Sequence, residues 1–246
     1  MVERRVCNAE VTGSSPVGSI SQNIFQPNDS RGSSETFEIN MHPIKHIWFD
    51  FADTIAFTNQ EHDRLLYQTY ADVTTKPVSP ELIQEFKELY KQYKSNSAVF
   101  TTYLGLPPGY WAKAVEATDV RKLHSLAEPL IPDILNKLRA IVPISIFSNM
   151  RMDKLAPAIG IDVSWFTHIL SGAVFKNPKP ALDGFLKIVE ISELPAENIL
   201  FVGDSVDKEM IPAKKVGMMT CLMWNKSLEA DYSFNNFENI LDLVKN

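Results

Sequence analysis

The chain has 246 residues, of which 45% are hydrophobic, and a formal net charge of −6. A chain of this size can bury one sizeable hydrophobic core and a smaller second one. The net negative charge disfavours a nucleic-acid-binding protein, because contacts to phosphate backbones need clustered Lys and Arg.

No apolar run approaches the roughly 18 residues that span a bilayer, and Arg4 and Arg5 are not followed by the apolar segment of a signal peptide. We therefore expect a cytoplasmic protein with no membrane partner. The cysteines, Cys7 and Cys221, form neither a disulfide framework nor a metal-ligand spacing. Disulfide chemistry and zinc binding are therefore not expected.

Residues 1–40 differ in composition from the rest of the chain. They are rich in Ser, Gly, Asn and Pro and show neither a helical nor a strand period, which predicts a disordered leader. Residues 6–18, VCNAEVTGSSPVG, resemble the peptide obtained when the end of a transfer-RNA gene is translated in error. In that case the native start is Met41, and a genuine flexible leader is the alternative.

The first predicted strand contains Ile47, Trp48 and Phe49, and Asp50 ends it. In an open parallel sheet, ligands bind beyond the carboxyl ends of the strands. Asp50 is therefore a candidate nucleophile. The alternative is an aspartate that caps a helix or a turn.

Three helices are predicted in the next stretch, over residues 61–70, 80–94 and 110–117. Ser79 is the expected N-cap of the second helix, and Pro80 occupies its first position. On that helix Lys87, Lys91 and Lys94 recur on one face, which is typical of a solvated surface.

Strands and helices then alternate to the end of the chain. A helix over 132–140 leads to a strand over 144–147, which ends at Ser148 and Asn149. Further strands are predicted at 169–170, 199–202 and 219–222, with helices at 181–190, 210–216 and 237–244. This alternation predicts an α/β fold with a doubly wound parallel sheet.

Four polar residues, Asp50, Ser148, Lys179 and Asp204, fall in this order at or just beyond predicted strand ends. Over residues 44–222 the set resembles the four motifs of the haloacid dehalogenase (HAD) superfamily. The resemblance implies a Rossmannoid core domain formed by residues 41–57 and 126–246. It also implies that residues 58–125 form an inserted helical cap domain, as in one class of the family. An extra packing subdomain without a lid role is the alternative.

The resemblance implies a Mg²⁺ site beside the nucleophile. In the family the ion is held by the nucleophile, by a carboxylate of the fourth motif and by the backbone carbonyl two residues after the nucleophile. Here these are Asp50, Asp204 and Ala52, and a backbone carbonyl survives any substitution. Glu209 stands where the family often has a second supporting Asp, although its side chain is longer.

The resemblance also implies a set of residues that bind the phosphoryl group. Ser148 and Asn149 follow the second-motif strand, and Thr54 buttresses the first loop and contacts the phosphoryl group. Lys179 neutralises the nucleophile and the phosphate. Lys176 could compete for this role, but Pro180 after Lys179 matches the family spacing. The alternatives are a helix-capping Ser and a solvated Lys.

One position departs from the family pattern. Family phosphatases usually carry an acid–base Asp two residues after the nucleophile, and this chain has Ala52 there. An acid–base group of this kind contributes on the order of 10²–10⁴-fold to the rate. The next residue, Asp53, stands where the family often has Gly, and we expect it to be a turn aspartate.

The resemblance therefore predicts a Mg²⁺-dependent phosphatase that acts on a small phosphorylated metabolite through an aspartyl-phosphate intermediate. One alternative is a C–P bond hydrolase similar to phosphonoacetaldehyde hydrolases, which also carry Ala at this position; Lys87 or Lys91 would then form the Schiff base. Another alternative is a non-catalytic module that binds a phospholigand or a protein.

Overall fold

The computed structural model describes residues 43–245, so the expectations for residues 1–40 lie outside the described part of the chain. Eight strands are present within it. They are β1 (His46–Phe49), β2 (Ala56–Thr58), β3 (His124–Leu126), β4 (Ile144–Ser148), β5 (Ile169–Ser171), β6 (Ile199–Gly203), β7 (Met219–Met223) and β8 (Tyr232–Phe234).

Six strands form one sheet in the order β5-β4-β1-β6-β7-β8, and every neighbouring pair is parallel. The predicted doubly wound parallel sheet is thus confirmed. The chain adds strands on one side of β1 and then on the other, so β1 lies at the switch point of the topology. Ligands bind at the carboxyl ends of the strands at such a point.

Strand β1 is buried on both faces of the sheet. Ile47 and Phe49 belong to one hydrophobic cluster, and Trp48 belongs to a second cluster on the other face. Because successive side chains of a strand point to opposite faces, a continuous apolar run is what a central parallel strand requires. Pairing of Phe49 with Ile146 of β4 and Val202 of β6 sets the register and places Asp50 just beyond the carboxyl end of the strand.

Within residues 43–245, eight α-helices accompany the strands. They are α1 (Gln60–Thr74), α2 (Pro80–Tyr93), α3 (Asn96–Ala98), α4 (Tyr110–Glu116), α5 (Ile131–Leu138), α6 (Met152–Ala158), α7 (Asp183–Ser192) and α8 (Ile211–Lys215). Among the described residues, no helix is long and apolar enough to cross a membrane.

Helices α1 to α4 lie between β2 and β3, and we call residues 59–123 the helical insertion. The Ser79 side chain accepts a hydrogen bond from the Leu82 N–H with Pro80 at the start of α2, as predicted. The insertion has its own aromatic packing, because Phe86 and Phe100 lie edge to face or tilted against neighbouring rings. The antiparallel pair β2–β3 joins the insertion to the chain. The division into core and cap domains stays a prediction.

Several elements differ from the predictions. Strands β2, β3 and β8 and helix α6 were not predicted, and residues Phe237–Leu243 form a 3₁₀ helix. A π-helical turn over Val206–Met210 precedes α8. Lys87 and Lys91 are exposed, as predicted for a solvated face of α2. Lys94 lies just outside the helix as its left-handed cap residue, and its half-exposed side chain pairs with Asp207 in the π-helical turn at 2.7 Å.

Candidate active site

Asp50 lies directly after β1 and is only 2% exposed. Its Oδ1 atom accepts a hydrogen bond from Lys179 Nζ at 2.6 Å. Its Oδ2 atom is buried and has no hydrogen-bond partner among the residues that the structure describes. A buried carboxylate oxygen without a partner is costly, so this atom is available for a ligand.

Lys179 is also buried, with 1% of its surface exposed, and follows a loop that ends in a cis Lys179–Pro180 peptide bond. Its Nζ donates to Asp50, to Glu209 Oε1 at 2.7 Å and to the carbonyl oxygen of Phe147 at 3.1 Å. These three partners use all three N–H donors of the ammonium group. The structure places Lys176 at the surface, so Lys179 is the lysine that reaches the nucleophile candidate.

A cluster of three carboxylates surrounds this point. One oxygen each from Asp50, Asp204 and Glu209 lie within 4.8 Å of one another. Hard divalent cations prefer carboxylate oxygens, and the unpartnered Asp50 Oδ2 supplies a free donor atom. The residues present therefore fit a divalent cation.

Glu209 is held rigidly. Its Oε2 atom accepts from the backbone N–H groups of Asp204 at 3.1 Å and Ser205 at 3.3 Å. A Cβ atom on Gly203 would lie 2.2 Å from this oxygen, so only glycine fits at the end of β6. The π-helical turn after Ser205 turns both Lys208 and Glu209 towards the site, and Lys208 Nζ lies 3.6 Å from Asp204 Oδ1. π-helical turns often occur at functional sites.

The buried charges shift the pKa values in opposite directions. Burial alone would raise the pKa of Asp50, but the positive charges of Lys179 and Lys208 outweigh it and hold the pKa below its ordinary value. Burial and the neighbouring carboxylates raise the pKa values of Asp204 and Glu209. Asp50 is thus the carboxylate that keeps its negative charge, which a nucleophile needs.

The loop after Asp50 contains the position that departs from the family pattern. Ala52 lines the same cavity as Asp50. Asp53 has a left-handed backbone with φ of 64°, a conformation that favours glycine, and its Oδ1 accepts from the Thr58 N–H and hydroxyl. The structure therefore places Asp53 as a turn aspartate. Thr54 is fully buried and its hydroxyl donates to Asp204 Oδ1 at 3.5 Å.

Ser148 and Asn149 line the cavity at the end of β4. The Ser148 hydroxyl oxygen accepts from the Met150 N–H at 3.2 Å. The Asn149 amide group accepts from the Lys179 backbone N–H at 3.0 Å, and it donates to the Lys179 carbonyl and to Ser95 Oγ in the helical insertion. Asn149 thus fixes the backbone of the lysine that contacts Asp50.

Asp50, Ala52, Ser148, Asn149 and Lys179 line one cavity of about 80 Å³. This volume is well below the roughly 300–1,000 Å³ of sites for drug-sized ligands. The sequence analysis assigned no site role to several other lining residues, among them His62, Tyr90, Trp111, His124 and Lys208. Four of these five come from the insertion or from β3, and no local sequence pattern marks which of their faces turns towards Asp50.

The chain is similar to known proteins in sequence and in fold. Residues 44–217 match the family described as haloacid dehalogenase-like hydrolase. A glyceraldehyde 3-phosphate phosphatase of Methanocaldococcus jannaschii is 34% identical over 89 residues, which cover 33% of this chain and 39% of that protein.

Two solved structures share the fold. A HAD phosphatase from Thermococcus onnurineus superimposes with a TM-score of 0.61 and 18% identity, over 82% of this chain and 98% of that one. YfnB from Bacillus subtilis, solved with bound magnesium, gives a TM-score of 0.57 and 18% identity over 82% and 99% of the two chains.

Proposed function

Because the chain belongs to the haloacid dehalogenase-like hydrolase family, we propose that it is a Mg²⁺-dependent phosphatase acting on a small phosphorylated metabolite. The observation that carries this proposal is the contact of Asp50 with Lys179 beside Asp204 and Glu209. A charged carboxylate, a lysine and a carboxylate cluster are the groups that transfer of a phosphoryl group to an aspartate requires.

In this proposal Asp50 attacks the phosphorus atom and forms an aspartyl-phosphate intermediate, which water then hydrolyses. Lys179 holds the carboxylate in place, and Ser148 donates a hydrogen bond to a phosphoryl oxygen. Asn149 keeps Lys179 in position through its backbone. Thr54 links the loop after β1 to Asp204 through its hydroxyl.

The side chains of Asp50 and Asp204 and the carbonyl oxygen of Ala52 would hold Mg²⁺, with Glu209 supporting them. The cation would neutralise the charge of the phosphoryl group that a negative nucleophile must approach. The magnesium-bound relative of the same fold supports this choice of ion.

The size of the cavity and the partial match to a triose phosphate phosphatase both favour a small phosphate monoester. We propose that the helical insertion acts as a cap, since Tyr90, Ser95 and Trp111 from it line the cavity over Asp50. Closing such a cap excludes water from the reaction.

The C–P hydrolase alternative gains no support. Lys87 and Lys91 are exposed and line an outer pocket that adjoins the Asp50 cavity through His62 and Tyr90, but neither lysine lines the cavity itself. A lysine that forms a Schiff base must reach the substrate beside the nucleophile, and the ion pair with the exposed Glu88 at 2.8 Å holds Lys91 at the surface.

A substrate panel tests the proposed function. We expect purified protein to release phosphate from glyceraldehyde 3-phosphate and from 4-nitrophenyl phosphate with Mg²⁺ and not with EDTA. Turnover of phosphonoacetaldehyde alone would favour the C–P hydrolase. A shift of the melting temperature by phosphate esters without turnover of any of them would favour a binding module and reject the phosphatase.

A further inference from the structure

The cavity contains two histidines that the proposed mechanism has not used. His62 and His124 both line it together with Asp50 and Ala52. Their rings lie edge to face with centroids 5.7 Å apart. Two imidazoles therefore line the same small cavity as the nucleophile and the residue that replaces the usual acid–base group.

His62 is held in a defined place. It lies in the first turn of α1, where the Asn59 side chain accepts hydrogen bonds from the Glu61 and His62 N–H groups. Its ring packs edge to face on Trp111 with centroids 5.4 Å apart. His62 is only 8% exposed, and its Nδ1 atom makes no hydrogen bond with the described residues; the nearest acidic oxygen, Asp63 Oδ1, lies 3.9 Å away.

We propose that His62 supplies the proton transfers that Ala52 cannot make, as the general acid and then the general base of the phosphatase. This inference rests on the proposed function. In the first step Asp50 forms a bond to phosphorus, the P–O ester bond breaks, and the departing oxygen takes the proton of the His62 imidazolium. In the second step the neutral imidazole takes a proton from water, whose oxygen bonds to phosphorus while the bond from phosphorus to Asp50 breaks.

The Nδ1 atoms of both histidines are buried without a hydrogen-bond partner among the described residues, and the surroundings favour His62 for this role. His62 lies on α1 of the insertion that forms one wall of the cavity. Burial and the neighbouring His62 lower the pKa of His124 to about 4, so His124 is neutral at physiological pH and is a very weak acid. Burial lowers the pKa of His62 below its ordinary value as well, although the negative charges of Asp53 and Asp63 oppose this shift. A bound phosphate dianion adds further negative charge in the cavity, which favours the imidazolium. The other titratable groups that line the cavity are Asp50, Tyr90, Lys179 and Lys208.

The first experiment compares leaving groups in the variant His62→Gln. We expect the first turnover of an alkyl phosphate, glyceraldehyde 3-phosphate, to slow by about 10²-fold in rapid-quench measurements. The first turnover of 4-nitrophenyl phosphate should stay within about fivefold of wild type, because nitrophenolate leaves without a proton. Wild type should also lose alkyl phosphate turnover at basic pH, and the variant should lack this decline.

The matched control is His168→Gln. His168 directly precedes β5, at the amino ends of the strands, whereas the cavity lies at their carboxyl ends. Its ring stacks on Trp48, and it does not line the cavity. Melting temperatures show whether both variants fold, and His62→Asn serves as a second variant. His168→Gln should not slow the alkyl phosphate more than 4-nitrophenyl phosphate.

The second experiment adds Ala52→Asp. If a carboxylate at position 52 does the work of His62, Ala52→Asp should raise the alkyl phosphate rate at least about tenfold in the His62→Gln protein and much less in wild type. Equal slowing of both substrates in His62→Gln, or an equal gain from Ala52→Asp in both backgrounds, would overturn the role of His62. Absence of phosphate release by wild type from either ester would overturn the phosphatase itself.

Discussion

Replacing Lys179 by Met should destabilise the protein strongly, and more at neutral than at acidic pH. Methionine keeps an unbranched apolar stem, but it loses the ammonium nitrogen, which lies 5.0 Å from the ring centroid of Phe147 and 5.6 Å from that of Phe201. It removes the ammonium group that contacts two buried carboxylates, Asp50 at 2.6 Å and Glu209 at 2.7 Å.

The expected magnitude follows from the burial of this group. Removing one partner of a buried ion pair costs about 3–5 kcal/mol, because the other charge stays buried without compensation. In wild type the pKa of Asp50 is lowered, so its charge contributes stability above the pKa of the unfolded state, and this stability is lost as the pH falls through the lower folded value. Without Lys179 that contribution disappears, and ionising Asp50 costs free energy as the pH rises. The difference between the proteins should therefore grow from pH 4 to pH 7.5.

Urea unfolding of both proteins at several pH values measures this difference in unfolding free energy. The control is Lys187→Met, which removes a lysine that is 39% exposed and pairs with Glu190 on the surface of α7. Exposed pairs contribute little, so the control should change stability by at most about 0.5–1 kcal/mol. A loss for Lys179→Met that equals the control, or that does not vary with pH, would refute the reasoning.

Three further predictions concern the same site. Asp50→Asn should abolish turnover in a folded protein; activity within about tenfold of wild type, only about 1.4 kcal/mol, would exclude Asp50 as the nucleophile. Mg²⁺ should stabilise the wild-type protein by about 2.7 kcal/mol when its concentration is 100 times its dissociation constant, and this gain should raise the melting temperature. Asp204→Asn should lose most of this shift in scanning fluorimetry, and an equal shift would place the ion elsewhere. Gly203→Ala should cost about 1–3 kcal/mol in urea unfolding, since its Cβ displaces the Glu209 oxygen that accepts two backbone N–H groups; wild-type stability would contradict that contact.

The sequence alone was sufficient to predict five of the six strands of the central sheet, and β1, β4 and β6 are largely apolar runs that are buried throughout. The edge strand β8 was missed because its three residues are only partly buried. Strands β2 and β3 have three residues each, which is too short to show a two-residue period. The closing segment is 3₁₀ although Phe237, Ile240 and Leu241 are buried, since spacings of three and four residues do not distinguish it from an α-helix.

The residues of the candidate site that lie at strand ends were predictable from the sequence. Asp50 and Asp204 follow parallel strands and Ser148 ends one, and the carboxyl ends of such strands meet at one edge of the sheet. His62 and Trp111 were missed because their helices belong to the insertion. Local periodicity identifies the apolar face of such a helix, and the packing of the insertion against the sheet decides which residues meet Asp50.

Acidic and basic side chains alternate along one connected path, through Asp50, Lys179, Glu209, Lys208 and Asp204. Loss of Lys179 leaves Asp50 without a basic partner on this path, and loss of Lys208 leaves Asp204 without one. These positions therefore depend on one another in evolution: a neutral residue at position 179 becomes tolerable when position 50 loses its carboxylate too. In related proteins, an acidic and a basic residue of this path should therefore be replaced together. Such paired replacements would identify relatives that have lost the activity.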